Sequence, residues 1–111
     1  MAVMEFTIPE QLTDENAKNI AHKVSSSVLR ARFNGQSDGL IAKLELGELK
    51  GDLIAPKGQF SYGFDFWNGN THLGDVYLRQ IGNNCQVSVD SSQINDIRAD
   101  DVLRHYLKIQ P

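Results

Sequence analysis

Between Gln59 and Asn70 the aromatic residues Phe60, Tyr62, Phe64 and Phe66 alternate with Gln59, Ser61, Gly63 and Asp65. Successive side chains on a strand point to opposite faces, so this period of two predicts a strand with one aromatic face. Asn68-Gly69 follows, a pair suited to the central positions of a type I′ hairpin turn. Four rings in one row bury more apolar area than any other stretch, and the remaining chain is expected to pack around them. Trp67 breaks the alternation at the turn.

Upstream, the apolar period changes to 3.6. Ala17, Ile20, Ala21, Val24, Val28 and Ala31 form one stripe on a predicted helix of about five turns. Thr13 stands at the N-cap position. Asp14 and Glu15 in the first turn and Arg30 and Arg32 in the last complement the helix dipole, and Asn34-Gly35 ends it. Ser25-Ser26-Ser27 weakens helix propensity in the middle and admits a bend. Before the helix, Met4, Phe6 and Ile8 alternate up to Pro9, which predicts a short extended arm or edge strand.

Gly39 to Ala55 reads as a hairpin turning at Gly47-Glu48. That register pairs Glu45 with Lys50 and Lys43 with Asp52, and collects Leu40, Ala42, Leu44, Leu46, Leu49 and Leu53 on the other face. A helix through Ala42, Leu46, Leu49 and Leu53 would have to contain Gly47 and Gly51. Pro56-Lys57-Gly58 then turns the chain into the aromatic strand.

The return strand is predicted over Thr71 to Ile81, with a turn at Gly82-Asn83-Asn84 and a fifth strand over Cys85 to Asp90. A two-residue Asn68-Gly69 loop sets Phe64 opposite Leu73 and Asp65 opposite His72. Carried on without interruption, it places Val76 and Leu78, together with Val87 and Val89, on the face away from the aromatic row. Two arrangements satisfy the pattern: a sheet apolar on both faces, or a bulge near Gly74-Asp75 that flips the parity. Ala99 to Ile109 reads as a short helix with Val102, Leu103, Tyr106 and Leu107 on one side. Asp100 and Asp101 lie in its first turn and Lys108 near its end.

The predicted order is an arm, a long N-terminal helix, a five-strand antiparallel meander and a short C-terminal helix, forming one α+β domain over residues 1–111. A helix packed on a curved meander is the architecture seen in cystatin-like and related folds. The likeness is architectural and implies no activity.

Composition narrows the function classes. A chain of 111 residues, 41% hydrophobic and 23% charged, supports one globular core. A net charge of −3 argues against a duplex nucleic-acid binder, which needs a basic face for phosphates. Lys18, Lys23, Arg30 and Arg32 make one helix side mildly basic, but no aromatics accompany them. The lone Cys85 excludes an intramolecular disulfide and points to a reducing compartment, so a cytoplasmic location is expected. Met1 to Glu5 carries no basic start of a signal peptide, and no apolar run reaches membrane-span length. Glycine spacings suit turns rather than a phosphate cradle, and His22, His72 and His105 lack metal-ligand spacing, so no cofactor or metal is expected.

Asp65 facing His72 is the best candidate for chemistry, because a carboxylate that orients an imidazole is half of a general-base device. Its plainer role is a cross-strand ion pair that secures the hairpin. Gly63 and Gly74 beside it leave the sheet bare. Tyr62, Phe64, Trp67 and Tyr77 are candidate lining for a small apolar ligand, against the alternative that the row is core beneath the helix. Trp67 either caps the core or serves an interface. Val76, Leu78, Val87 and Val89, if uncovered, form an apolar patch that monomers rarely tolerate. The expectation is therefore a small non-enzymatic binding module acting as a homodimer or with a protein partner. The alternative is a small-ligand protein or enzyme with a pocket between helix and sheet that uses Asp65 and His72.

Overall fold

The computed structural model describes residues 2–33, 44–46, 53–55 and 58–108. The Glu45–Lys50 and Lys43–Asp52 pairs and the Asn34-Gly35 helix stop lie outside them.

The chain is α+β. Strand β1 (Ala2–Ile8) leads to helix α1 (Ala17–Arg32), followed by the short strands β2 (Leu44–Leu46), β3 (Leu53–Ala55) and β4 (Gly58–Phe60). The long strands β5 (Tyr62–Asn68), β6 (Thr71–Ile81) and β7 (Asn84–Ser91) come next, then a 3-10 turn (Ser92–Ile94) and helix α2 (Ala99–Lys108). An antiparallel five-stranded sheet has the order β1-β7-β6-β5-β2, and β3 and β4 form a separate two-stranded ladder. No helix among the described residues is long and apolar enough to cross a membrane.

This order departs from the expected meander in two places. The N-terminal segment is a full edge strand, paired with β7 from Ala2↔Ser91 to Ile8↔Cys85. Its alternation explains the docking, since Met4, Phe6 and Ile8 meet Val89, Val87 and Cys85 on the core side. At the other edge, Leu44–Leu46 pairs with β5. The consecutive meander is thus β5-β6-β7, and α1 connects the β1 edge to the β2 edge.

Helix α1 begins at Ala17 with Asn16, not Thr13, as its N-cap, so Asp14 and Glu15 precede its first turn; Thr13 instead opens the turn that leads into it. The Thr13 Oγ1 accepts from the Asn16 amide at 3.2 Å, and the Asn16 side chain accepts from the Thr13 amide at 2.8 Å, a reciprocal pair. The stripe of Ala17, Ile20, Ala21, Val24 and Val28 joins Phe64, Phe66, Val76, Leu78, Val87 and Val89 in one core. The three serines at 25–27 are also buried. Ser25 and Ser27 donate back to the carbonyls of His22 and Lys23, which satisfies their hydroxyls within the helix. Helix α2 contributes Val102 and Tyr106. Tyr106 donates to the Glu10 carboxylate beneath Lys23, whose ammonium lies 4.5 Å from the ring centre.

The aromatic row is split. Tyr62, Phe64 and Phe66 face α1, but the bend at Ser61 separates β4 from β5, and Phe60 packs on Tyr77 and Arg79 instead. The ring centroids of Phe60 and Tyr77 are 6.1 Å apart, and the Arg79 guanidinium lies 4.8 Å from the centre of the Phe60 ring.

The β5–β6 register decides which face the later valines take. Asn68 pairs with Thr71, so the turn residues are Gly69 and Asn70 rather than Asn68 and Gly69; Gly69 supplies the positive φ of 60°. Beyond it, Trp67 pairs with His72, but Phe66 pairs with Gly74, leaving Leu73 as the extra residue of a bulge. The bulge flips the parity. Phe64 consequently faces Val76, and Val76, Leu78, Val87 and Val89 are all 0% exposed in the core under α1. The apolar outer patch that an uninterrupted register implied does not form.

Gly74 is required at this point because a Cβ there would lie 2.6 Å from Ser91 Cβ and 2.7 Å from the Asp90 carbonyl oxygen. The Ser91 hydroxyl donates to the Leu73 carbonyl at 2.5 Å, satisfying a backbone group that the bulge takes out of the ladder.

Candidate functional site

The parity flip that buries the valines exposes a polar face. On the side of the sheet away from α1, register places Asp65 of β5 directly across from Asp75 of β6, and Asp75 directly across from Asp90 of β7. Three carboxylates therefore cross three adjacent strands in one row. Like charges in directly opposed positions destabilise a sheet unless something between them compensates.

His72 is one compensating group among the described residues. The bulge brings it over the row, with Nε2 3.2 Å from Asp75 Oδ1 and 4.0 Å from Asp65 Oδ1. Trp67, its cross-strand partner, packs on the imidazole with ring centroids 4.9 Å apart, which limits the directions in which the ring can point. One donor atom from each of Asp65, His72 and Asp75 lies within 4.8 Å of the other two.

Electrostatics follow from this crowding. Burial and the facing Asp65 push the Asp75 carboxyl from 3.8 up to about 6, with His72 pulling more weakly the other way. The Asp75 side chain is only 18% exposed, so water screens the row poorly there. Beside it, Asp90 Oδ1 is shielded from solvent and takes no hydrogen bond. Ser88, two residues before Asp90 and on the same face, is 0% exposed and its hydroxyl is likewise without a partner. Farther along the face the polar groups are paired: Arg79 donates to Gln86 at 2.7 Å, and Gln86 donates to Glu5 at 2.9 Å.

The residues singled out from the sequence divide between the two faces. Asp65 and His72 do come together, though not as an opposed pair; the bulge and the shifted turn place His72 opposite Trp67. Gly63 and Gly74 fall on opposite faces, because Gly63 pairs with Tyr77 and Gly74 with Phe66. Tyr62, Phe64, Trp67 and Tyr77 share no lining. Phe64 is 2% exposed in the core, Tyr62 lies on the helix side and donates to Asp14, and Trp67 and Tyr77 are on the outer face.

The sequence shows no metal-ligand spacing, and tertiary placement brings Asp65, His72 and Asp75 together from two strands. Asp75 was missed because the uninterrupted register sets it far from Asp65. Its i, i+3 spacing from His72 was the available signal, and it acquires meaning only across a bulge. Cys85 is buried, and burial first and Glu10 second push its thiol up to about 12, so it is no nucleophile in the folded chain. Comparison with family models, with curated proteins and with solved structures finds no match for this chain.

Proposed function

We propose that the chain is a small non-enzymatic binding module, a helix-on-curved-sheet scaffold of the cystatin-like kind that takes a cationic ligand on the outer face of its sheet. The observation that carries this reading is the carboxylate row Asp65–Asp75–Asp90, which sets like charges opposite one another on three strands with His72 above two of them. A bound cation converts that repulsion into attraction, and the shielding around Asp75 and Asp90 strengthens the interaction relative to open water. Self-association through Val76, Leu78, Val87 and Val89 loses its support, since those side chains are core.

A second reading rests on the same pair of groups. A carboxyl held near 6 and 3.2 Å from an imidazole is placed to exchange protons near neutrality, which suits general acid–base work. The binding reading is preferred because it involves all three carboxylates of the row, whereas proton exchange involves only Asp75 and His72.

The test is native mass spectrometry of untagged protein purified gently from its own source, compared with the Asp65→Asn/Asp75→Asn double variant from the same host. The expected result is a 12.4 kDa chain carrying an adduct that the double variant lacks. A bare chain in both preparations, or an adduct that the double variant retains, refutes binding at this face.

A further inference from the structure

We propose that Asp65, His72 and Asp75 form a site for a divalent first-row transition-metal ion, backed by the carboxylate of Asp90. This rests on the cation-binding reading above and names the cation.

The donor set is the first argument. Two carboxylates and one neutral imidazole suit zinc, manganese, cobalt or ferrous iron, whereas magnesium prefers oxygen alone. Geometry is the second. Around an ion with bonds of about 2.1 Å, tetrahedral ligand atoms lie about 3.4 Å apart. The His72–Asp75 and His72–Asp65 separations of 3.2 and 4.0 Å bracket that spacing, and all three donor atoms fall within 4.8 Å. The widest separation, up to 4.8 Å, must close by about 1.4 Å, a movement within the reach of carboxylate rotamer changes.

The third argument is independent of the cluster. On the neighbouring strand, Ser88 is wholly buried with an unpartnered hydroxyl, and Asp90 directs a shielded, unpartnered carboxylate oxygen to the same face. Burying a carboxylate oxygen without a donor is costly, and Asp90 lies directly across from Asp75. A cation held by Asp75 compensates that oxygen through space or through a bound water. Trp67 completes the arrangement by packing on the imidazole, so His72 presents Nε2 to both acids without having to be ordered by the ion.

The experiment uses ¹⁵N-labelled full-length protein stripped with EDTA and dialysed, titrated at pH 7.5 with Mn²⁺ alone and, by calorimetry, with Zn²⁺ alone. One saturable site is expected, with Mn²⁺ broadening the amides of residues 64–66, 72–76 and 89–91 first and Zn²⁺ displacing it, while Mg²⁺ at the same concentration does not. Asp75→Asn and His72→Gln should each weaken Zn²⁺ binding by about tenfold or more, and Asp100→Asn, in the exposed first turn of α2, should leave it unchanged.

Broadening centred on Asp96, Asp100 and Asp101, or Zn²⁺ affinity unchanged in both site variants, overturns the assignment. So does the absence of saturable binding. If the native protein still carries an adduct at this face in that last case, the ligand is an organic cation and the binding-module reading survives without the metal.

Discussion

Replacing Asp75 with asparagine should make the metal-free protein more stable near neutral pH and leave little of that gain near pH 4. Asp75 is pushed from 3.8 to about 6 in the folded chain by burial and by Asp65. Between those values the folded state keeps a proton that the unfolded chain has released. The contribution of this group is therefore fully present below about 3.8 and is lost as pH rises through about 6. A displacement of about two units corresponds to ~3 kcal/mol at 1.36 kcal/mol per unit. The side chain is 18% exposed, so partial screening brings the expected penalty to about 1–3 kcal/mol. Asparagine keeps the shape and a hydrogen-bonding group for His72 but carries no charge to repel Asp65 and Asp90. Urea unfolding of both proteins in EDTA, at pH 4 and pH 7.5, measures the effect as the difference between the two gaps. A variant whose advantage is no larger at pH 7.5 than at pH 4 would falsify the account of the carboxylate row.

Other consequences test the fold that positions the row. Val87→Lys should cost on the order of 4 kcal/mol or more and leave little folded protein by circular dichroism, because the site is 0% exposed; a folded, soluble variant would mean that the valine face is open. Gly74→Ala should lower the denaturation midpoint by an amount equivalent to about 1–3 kcal/mol, since the added methyl meets Ser91 and the Asp90 backbone at under 3 Å, and an unchanged midpoint would discount the bulge geometry. Thr13→Ala should cost about 1 kcal/mol in the same assay through loss of its hydrogen bond with the Asn16 amide. Cys85 should react with Ellman's reagent at pH 8 only as fast as the chain opens, and at once in guanidinium; rapid reaction of the native protein would contradict its burial.

Much of this protein is determined locally and is legible in the chain. The spacing of Ala17, Ile20, Ala21, Val24 and Val28 specifies a helix with one apolar side, because a period of 3.6 can bury only one stripe. Thr13 and Asn16 mark its start through contacts three residues apart. The alternation of Tyr62, Phe64 and Phe66 and the turn expected at Gly82-Asn83-Asn84, whose last residue proves to be the first of β7, likewise specify strands by nearest-neighbour rules. These features depend on residues within a turn or two of one another.

What the tertiary structure alone decides is parity, and with it the candidate site. A single extra residue, Leu73, exchanges the faces of every later residue on β6, because side chains alternate with a period of two. Its placement depends on contacts remote in sequence: Ser91 bonds the Leu73 carbonyl, and the Phe66 ring and the Asp90 backbone crowd Gly74. The docking of β1 on β7 is equally remote, joining Ala2–Ile8 to Cys85–Ser91. Once the parity is set, the valines go inward and Asp65, Asp75 and Asp90 align outward beneath His72. The chain carries those four residues at separate positions, and only the register brings them onto one face.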